Sequence, residues 1–181
     1  MNLKILSWNI WERCNFEELK DFLAKSKADI IGLQEVLIDD PTRDVVGFLK
    51  GLGYECAVGL TAEVKMENNK IITINNGVFS KYPIIEKRLH SLSDKGDRGA
   101  TEAVVKIGDK NLHVFSLHLK HTHQQPSDFQ NIQADNLIKA LPREKTVVMG
   151  DFNATPESYA VKIFTLSNYS SVLQKTTIAI K

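Results

Sequence analysis

Four polar residues stand where apolar ones are expected, at the ends of hydrophobic runs, and each could do chemistry. Glu35 closely follows Ile30-Ile31-Gly32-Leu33. A carboxylate leaving so apolar a segment needs a partner, because an isolated buried charge is costly. A divalent cation is one such partner, and water at a strand exit is the other. Asp151 and Asn153 follow Val147-Val148-Met149 in the tetrapeptide Gly150-Asp151-Phe152-Asn153. If this stretch stays extended, both polar side chains point one way and Phe152 the other. A carboxylate beside a carboxamide can orient a water and hydrogen-bond a developing oxyanion. The competing reading is a Gly-Asp turn with the asparagine as a local cap. His118 ends Val114-Phe115-Ser116-Leu117-His118 on the face of Ser116, with His121 and His123 just beyond. No cysteine is near, and the three histidines cross a strand exit rather than one helix face, which weighs against zinc. Arg98, in Lys95-Gly96-Asp97-Arg98-Gly99, is placed either to clamp a phosphate or to be a solvated loop charge.

The elements that must hold these residues alternate between strand and helix. Residues 3–10 read as a strand with Leu6, Trp8 and Ile10 on one face and Ser7 and Asn9 on the other. Residues 16–26 read as a helix with Phe16, Leu19, Phe22 and Leu23 on its apolar face and a capping box from Asn15 and Glu18. Residues 28–34 suit a strand buried on both faces. Val45, Phe48, Leu49 and Leu52 mark a second helix, stopped by Gly51 and Gly53. Strands are expected at 54–59, 77–80 and 84–92, while 67–76 is ambiguous, being strand-like but rich in asparagine. Residues 101–107 and 111–117 flank Gly108-Asp109-Lys110, a hairpin signal. A helix over 128–141 has Ser127 and Gln130 as its capping box and Pro142 as its stop. A short strand over 146–149 follows, and Thr155-Pro156 has the form of an N-cap with proline at the first helical position.

The chain has 181 residues, 43% apolar and 25% charged, with a net charge of +1. These values fit one folded domain over 1–181 and exclude disorder, low complexity and a strongly basic nucleic-acid coat. Charge is uneven: residues 1–63 carry 7 Lys+Arg against 11 Asp+Glu, and residues 64–181 carry 16 against 11. The split suits a cleft with an acidic metal end and a basic anion end, and equally a random surface. No apolar run is long enough to span a membrane. The first residues turn polar too soon for a secretory signal, and Cys14 and Cys56 have no metal or disulfide spacing. Together these features lead to the expectation of a reduced, cytoplasmic protein.

Five blocks, taken in order, resemble the endonuclease/exonuclease/phosphatase superfamily, the deoxyribonuclease I-like and AP-endonuclease-like phosphoesterases. They are Leu6-Ser7-Trp8-Asn9-Ile10, Asp29-Ile30-Ile31-Gly32-Leu33-Gln34-Glu35-Val36, Asn76-Gly77-Val78-Phe79-Ser80-Lys81-Tyr82-Pro83-Ile84, Phe115-Ser116-Leu117-His118-Leu119 and Val148-Met149-Gly150-Asp151-Phe152-Asn153. Gln133 matches a glutamine usual between the last two. The resemblance implies a four-layered α/β sandwich, two mixed sheets face to face with helices outside. It implies a Mg²⁺ or Mn²⁺ site at Glu35 and Asn9, with Glu35 the direct ligand. Asp151 and Asn153 would position the attacking water and the phosphoryl oxygens, and His118 would contact the scissile phosphate. Arg98 and Asn76 would line the substrate side.

One block of that pattern is missing. Relatives end in an Asp-His pair that supplies the general base and its orienting partner, and no Asp-His occurs in these 181 residues. The expectation is therefore a domain whose C-terminal strands are missing, with an open sheet edge, an apolar tail at 171–173 and 178–180 that seeks a partner, and impaired turnover. Two functions follow: a metal-dependent hydrolase of phosphodiesters or phosphomonoesters, or an impaired module that keeps the cleft and binds phosphate or nucleic acid. Nucleic acid, phospholipid headgroups and small phosphodiesters all stand as substrates, and the oligomeric state is left open.

Overall fold

The computed structural model describes residues 2–170 except 13, 66–68, 70, 95–97 and 124. The apolar tail and the Lys95-Gly96-Asp97 stretch lie outside the described residues. The elements run β1 (Ile5–Asn9), α1 (Phe16–Ser26), β2 (Ile30–Val36), α2 (Val45–Gly51), β3 (Glu55–Lys65), β4 (Ile71–Ser80), β5 (Ile84–Ser91), β6 (Gly99–Ile107), β7 (Lys110–His118), α3 (Asp128–Ala140), β8 (Thr146–Asp151) and α4 (Tyr159–Leu166).

Two four-stranded mixed sheets result, ordered β1-β2-β4-β3 and β5-β6-β7-β8. The pairs β1/β2 and β7/β8 are parallel, and the others are antiparallel. Strand alternation divides the apolar residues into three layers of core. Ile30, Ala57, Val78, Ala103, Val105, Val114 and Met149 fill the space between the sheets. Ile31, Leu33 and Phe79 point the other way, onto Leu19 and Leu23 of α1 and Leu49 of α2. Ala100, Phe115 and Leu117 meet Ala134 and Leu137 of α3 and Phe164 of α4. The four-layered α/β sandwich expected from the sequence is what forms. Gly32 permits the tight contact between sheets, since a Cβ there would sit 2.6 Å from the Met149 methyl.

Several local expectations meet the structure directly. Asn15 accepts hydrogen bonds from the backbone N–H groups of Glu17 and Glu18 and donates its amide to Glu18. Residues 71–80 form one strand, joining the ambiguous segment to 77–80, because β3 continues to Lys65 and pairs with all of it. The second capping box does not form: Ser127 makes no side-chain cap bond, and Gln130 is buried and turned inward. Thr155 does not open α4. It begins a turn whose carbonyl accepts from the Ser158 backbone N–H and hydroxyl, and the helix starts at Tyr159.

Candidate active site

Alternation along three strands sends Asn9, Asp151 and His118 toward one end of the inter-sheet space. Each is the last residue of its strand, on β1, β8 and β7 respectively. Glu35 reaches the same place by a different route. On β2, Ile30 and Gln34 face the second sheet while Ile31 and Leu33 face the helices, so regular pleating would turn Glu35 toward the helices. A β-bulge between Leu33 and Val36 breaks that alternation, and Glu35 takes a left-handed backbone with φ 63°. Such bulges redirect a side chain, and the left-handed conformation of a non-glycine residue costs about 1 kcal/mol or more. Here it brings the carboxylate into the cleft.

The four side chains converge. The Asn9 amide donates to Glu35 Oε1 at 2.9 Å and to Asp151 Oδ2 at 3.0 Å. The His118 ring lies between the two carboxylates, with Nδ1 4.0 Å from Glu35 Oε1 and Nε2 3.9 Å from Asp151 Oδ2. Burial is the main influence on His118 and lowers its pKa. Asp151 opposes that, while Arg98 and His121 reinforce it. His118 Nδ1 is buried and has no hydrogen-bond partner. His118 is 6% exposed.

Asn153 is not extended: its φ is 49°, and its backbone N–H donates to Asp151 Oδ1 at 2.8 Å. The competing reading is met only in part: Gly150 and Asp151 stay in β8, and it is the Asp151 side chain that caps the Asn153 N–H. Its side-chain amide donates to the Leu119 carbonyl at 3.0 Å, which ties the segment after β8 to the segment after β7. Asn153 still lines the cleft beside Asp151, while Phe152 packs on the α3/α4 core. The approach of β8 to β7 is close because Gly150 precedes Asp151. With φ 148° it has a conformation that side chains resist, and a Cβ would run into the Leu117 carbonyl.

The cleft has a volume of about 430 Å³. Its walls are Asn9, Glu12, Glu35, His118, Asp151 and Asn153 together with Arg98, His121, Ile72 and Ile74. Arg98 thus joins the site. Asn76 is fully buried and does not line the cleft; its side-chain amide donates to the Gly99 carbonyl and its backbone carbonyl accepts from the Thr101 hydroxyl. It fastens the start of β6, next to Arg98. His121 and His123 lie ring to ring at 4.6 Å, and His123 is exposed.

Supporting residues have partners that the sequence does not show. Gln34 donates to Ser116 Oγ at 3.0 Å, and Ser116 donates to the Leu33 carbonyl, a buried bridge between the sheets immediately beneath Glu35 and His118. Gln130 donates to the carbonyls of Lys120, Phe152 and Asn153, and Gln133 accepts from the Lys120 N–H. The signal for Gln130 was a glutamine in the first turn of an amphipathic helix, which has the same appearance as a capping box. Because Gln130 holds both site loops, Gln130→Ala is expected to cost about 2 kcal/mol by leaving buried carbonyls unpaired. That lowers the melting temperature by about 4–8 °C. Thermal denaturation checks it, and a shift under 1 °C would show that water replaces the glutamine at no cost.

Among the described residues, no group of three or more His, Cys, Asp and Glu side chains forms a ready-made metal cage, and no helix is long and apolar enough to cross a membrane. The donors lining the cleft are mostly oxygen: the carboxylates of Glu12, Glu35 and Asp151 and the carboxamides of Asn9 and Asn153, beside two imidazoles and with no thiolate among the cleft residues.

Comparison with known proteins places this geometry. Among curated proteins no match was found. The catalytic domain of human Nocturnin with a bound sulfate anion is similar in structure, with a TM-score of 0.71 at 21% identity over 91% of this chain and 69% of that one. An endonuclease/exonuclease/phosphatase family protein from Leptotrichia buccalis gives 0.68 at 18% identity, over 92% and 72%. TDP2 from D. rerio, complexed with a single-strand DNA product, gives 0.63 at 21% identity, over 83% of this chain and 60% of that one. At these identities the likeness is one of fold. The family assignment rests on the sequence, which matches the Endonuclease/Exonuclease/phosphatase family across residues 6–173, from β1 through β8 and α4. A match of that extent, over a sandwich with polar residues gathered at its strand ends, makes this chain a member of the endonuclease/exonuclease/phosphatase family, whose members are hydrolases of phosphoesters.

Proposed function

We propose that this chain is a phosphoesterase that uses Mg²⁺ or Mn²⁺ and hydrolyses a phosphodiester or phosphomonoester by in-line attack of water. The observation that carries the reading is the convergence of Glu35 and Asp151 on one Asn9 amide, with His118 between them. Two carboxylates this close repel each other, and a cation relieves that repulsion. An oxygen donor set without sulfur suits a hard divalent ion, whose remaining positions go to water and phosphate oxygens. Glu35 and Asn9 would hold it. When bound, such an ion polarises a phosphoryl oxygen toward attack.

The chain's own residues supply the rest. Asp151 and Asn153 orient the attacking water and the phosphoryl oxygens, His118 contacts the scissile phosphate, and Arg98 neutralises its charge. The sulfate bound to the catalytic domain of human Nocturnin is a tetrahedral oxyanion like phosphate, and the DNA product in the D. rerio TDP2 complex is a phosphodiester chain. Both support a phosphoester as the substrate. Nucleic acid is accordingly the first substrate class to assay, ahead of phospholipid headgroups.

The test combines binding and turnover. Millimolar Mg²⁺ or Mn²⁺ is expected to raise the melting temperature of the wild type by several degrees, as any ligand of the folded state does. Glu35→Gln is expected to abolish that rise. Metal-dependent hydrolysis of bis(p-nitrophenyl) phosphate completes the test. Metal stabilisation without hydrolysis of any phosphoester would make the chain a phosphate-binding module, and unchanged metal stabilisation in Glu35→Gln would remove Glu35 from the metal site.

A further inference from the structure

One wall of the cleft is apolar, and the chemistry assigned above leaves it unused. β2 pairs with β4 only as far as Val36 opposite Asn75, whereas β3 stays paired with β4 to Lys65 opposite Ile71. The segments 62–65 and 71–74 therefore project beyond the sheet as a two-stranded ribbon. Its root is fixed by Asn75, whose buried amide donates to the Val36 carbonyl at 3.0 Å where β2 ends. Alternation along β4 puts Ile72 and Ile74 on the face that carries Asn76 and Val78 farther down the strand, the face toward the second sheet. Past the end of β2 that face overlooks the cleft, and Ile72 and Ile74 line it.

Ordinary core packing accounts for Ile74, which is 5% exposed, but not for Ile72, which is half-buried in the cleft wall. Phosphate has no use for such a surface; an organic group attached to it does. The same cleft carries Arg98 and His121, two planar side chains that stack on flat rings better than on alkyl chains. Its volume of about 430 Å³ takes one ring with its phosphate.

We propose that Ile72 and Ile74, on the overhanging β3–β4 ribbon, are specificity-determining residues that pack against a flat ring borne by the group esterified to the phosphate. This deepens the phosphoesterase reading and rests on it. It makes the substrate a phosphoester with an aromatic or heteroaromatic ring within reach of the phosphorus, not an ester of a plain alkyl alcohol.

Non-hydrolysable phosphonates separate this inference from catalysis. Calorimetry with phenylphosphonate, n-hexylphosphonate and methylphosphonate, in Mg²⁺, measures the wall alone. The wild type is expected to bind phenylphosphonate about tenfold more tightly than methylphosphonate, the effect of one modest apolar contact, with n-hexylphosphonate weaker than phenylphosphonate. Ile72→Ala is expected to bring the phenyl-to-methyl ratio close to one while methylphosphonate affinity stays within twofold, and Ile72→Leu to keep the preference. Equal binding of phenyl- and methylphosphonate by the wild type, tighter binding of the hexyl compound, or an unchanged ratio in Ile72→Ala would each overturn the ring-binding wall. Phenyl preference without metal-dependent hydrolysis of any phosphodiester or phosphomonoester would overturn the phosphoesterase reading and leave the wall standing. No binding of any phosphonate in Mg²⁺ would overturn both.

Discussion

Asp151→Asn is expected to reduce phosphodiester turnover by about a thousandfold while leaving the melting temperature nearly unchanged. The substitution is close to isosteric; besides the charge it removes the acceptor of the Asn9 amide, because an NH2 group replaces Oδ2. Asp151 Oδ1 accepts the Asn153 N–H, and an asparagine oxygen in its place still accepts, so the turn at the end of β8 survives. What disappears is the carboxylate 3.9 Å from His118 Nε2 and bonded to the Asn9 amide. A merely structural role for Asp151 predicts the reverse, with turnover largely kept. Asn153→Ala complements the test. It removes the bond to the Leu119 carbonyl and with it some stability, but the backbone N–H that Asp151 accepts remains. If both residues act on one transition state, the double variant loses far less than the product of the two single losses. Two small, multiplicative losses would assign the tetrapeptide to the turn alone.

The parts of the site that were legible in the sequence are those where pleating stays regular. Asn9, His118 and Asp151 close their strands on the side that alternation demands, so period-two reading sufficed. Glu35 was found as a misplaced carboxylate, but its direction was not legible. Only the bulge and its left-handed backbone turn it into the cleft, and neither has a signature in Gln34-Glu35-Val36. Asn153 was found on the premise of an extended chain, and the chain instead turns there. The ribbon was the hardest to see. Asparagines on both sides of Ile71-Ile72-Thr73-Ile74 obscured a strand whose partner, β3, continues past its own apolar stretch, and such pairing is set by tertiary contacts rather than propensity. Buried polar ties such as Gln34–Ser116 and Gln130 were invisible for a related reason: a sequence shows that a polar residue is present, not which carbonyl needs it.

Glu102 is the largest such omission, and its replacement is expected to have the largest effect on stability. On β6, alternation turns it away from Thr101 and Ala103 to the outer face of the second sheet, where it is 1% exposed. Arg88 stands directly opposite on β5 and donates to Oε1 at 3.2 Å. The two diagonal positions are histidines. His90 Nε2 on β5 lies 2.7 Å from Oε2, and His113 Nδ1 on β7 lies 2.6 Å from Oε1. Burial alone would raise the Glu102 pKa, but the hydrogen bonds from His113 and His90, with the charge of Arg88, hold it below the usual carboxylate value. Glu102→Ala removes the buried anion shared by buried His113, half-buried His90 and the exposed Arg88, and breaking such a cluster costs about 3 kcal/mol. At neutral pH the melting temperature is expected to fall by about 6–12 °C. The pH dependence has a definite sign. A carboxylate whose pKa is lower folded than unfolded contributes stability above its unfolded value, and that contribution fades as pH falls through the folded one. Wild type and Glu102→Ala should therefore differ most near neutrality and converge in acid, below about pH 4. Denaturation of both proteins across pH 3 to 8 reads this directly. A constant gap at every pH would mean that the variant loses only packing and that the carboxylate is electrostatically idle.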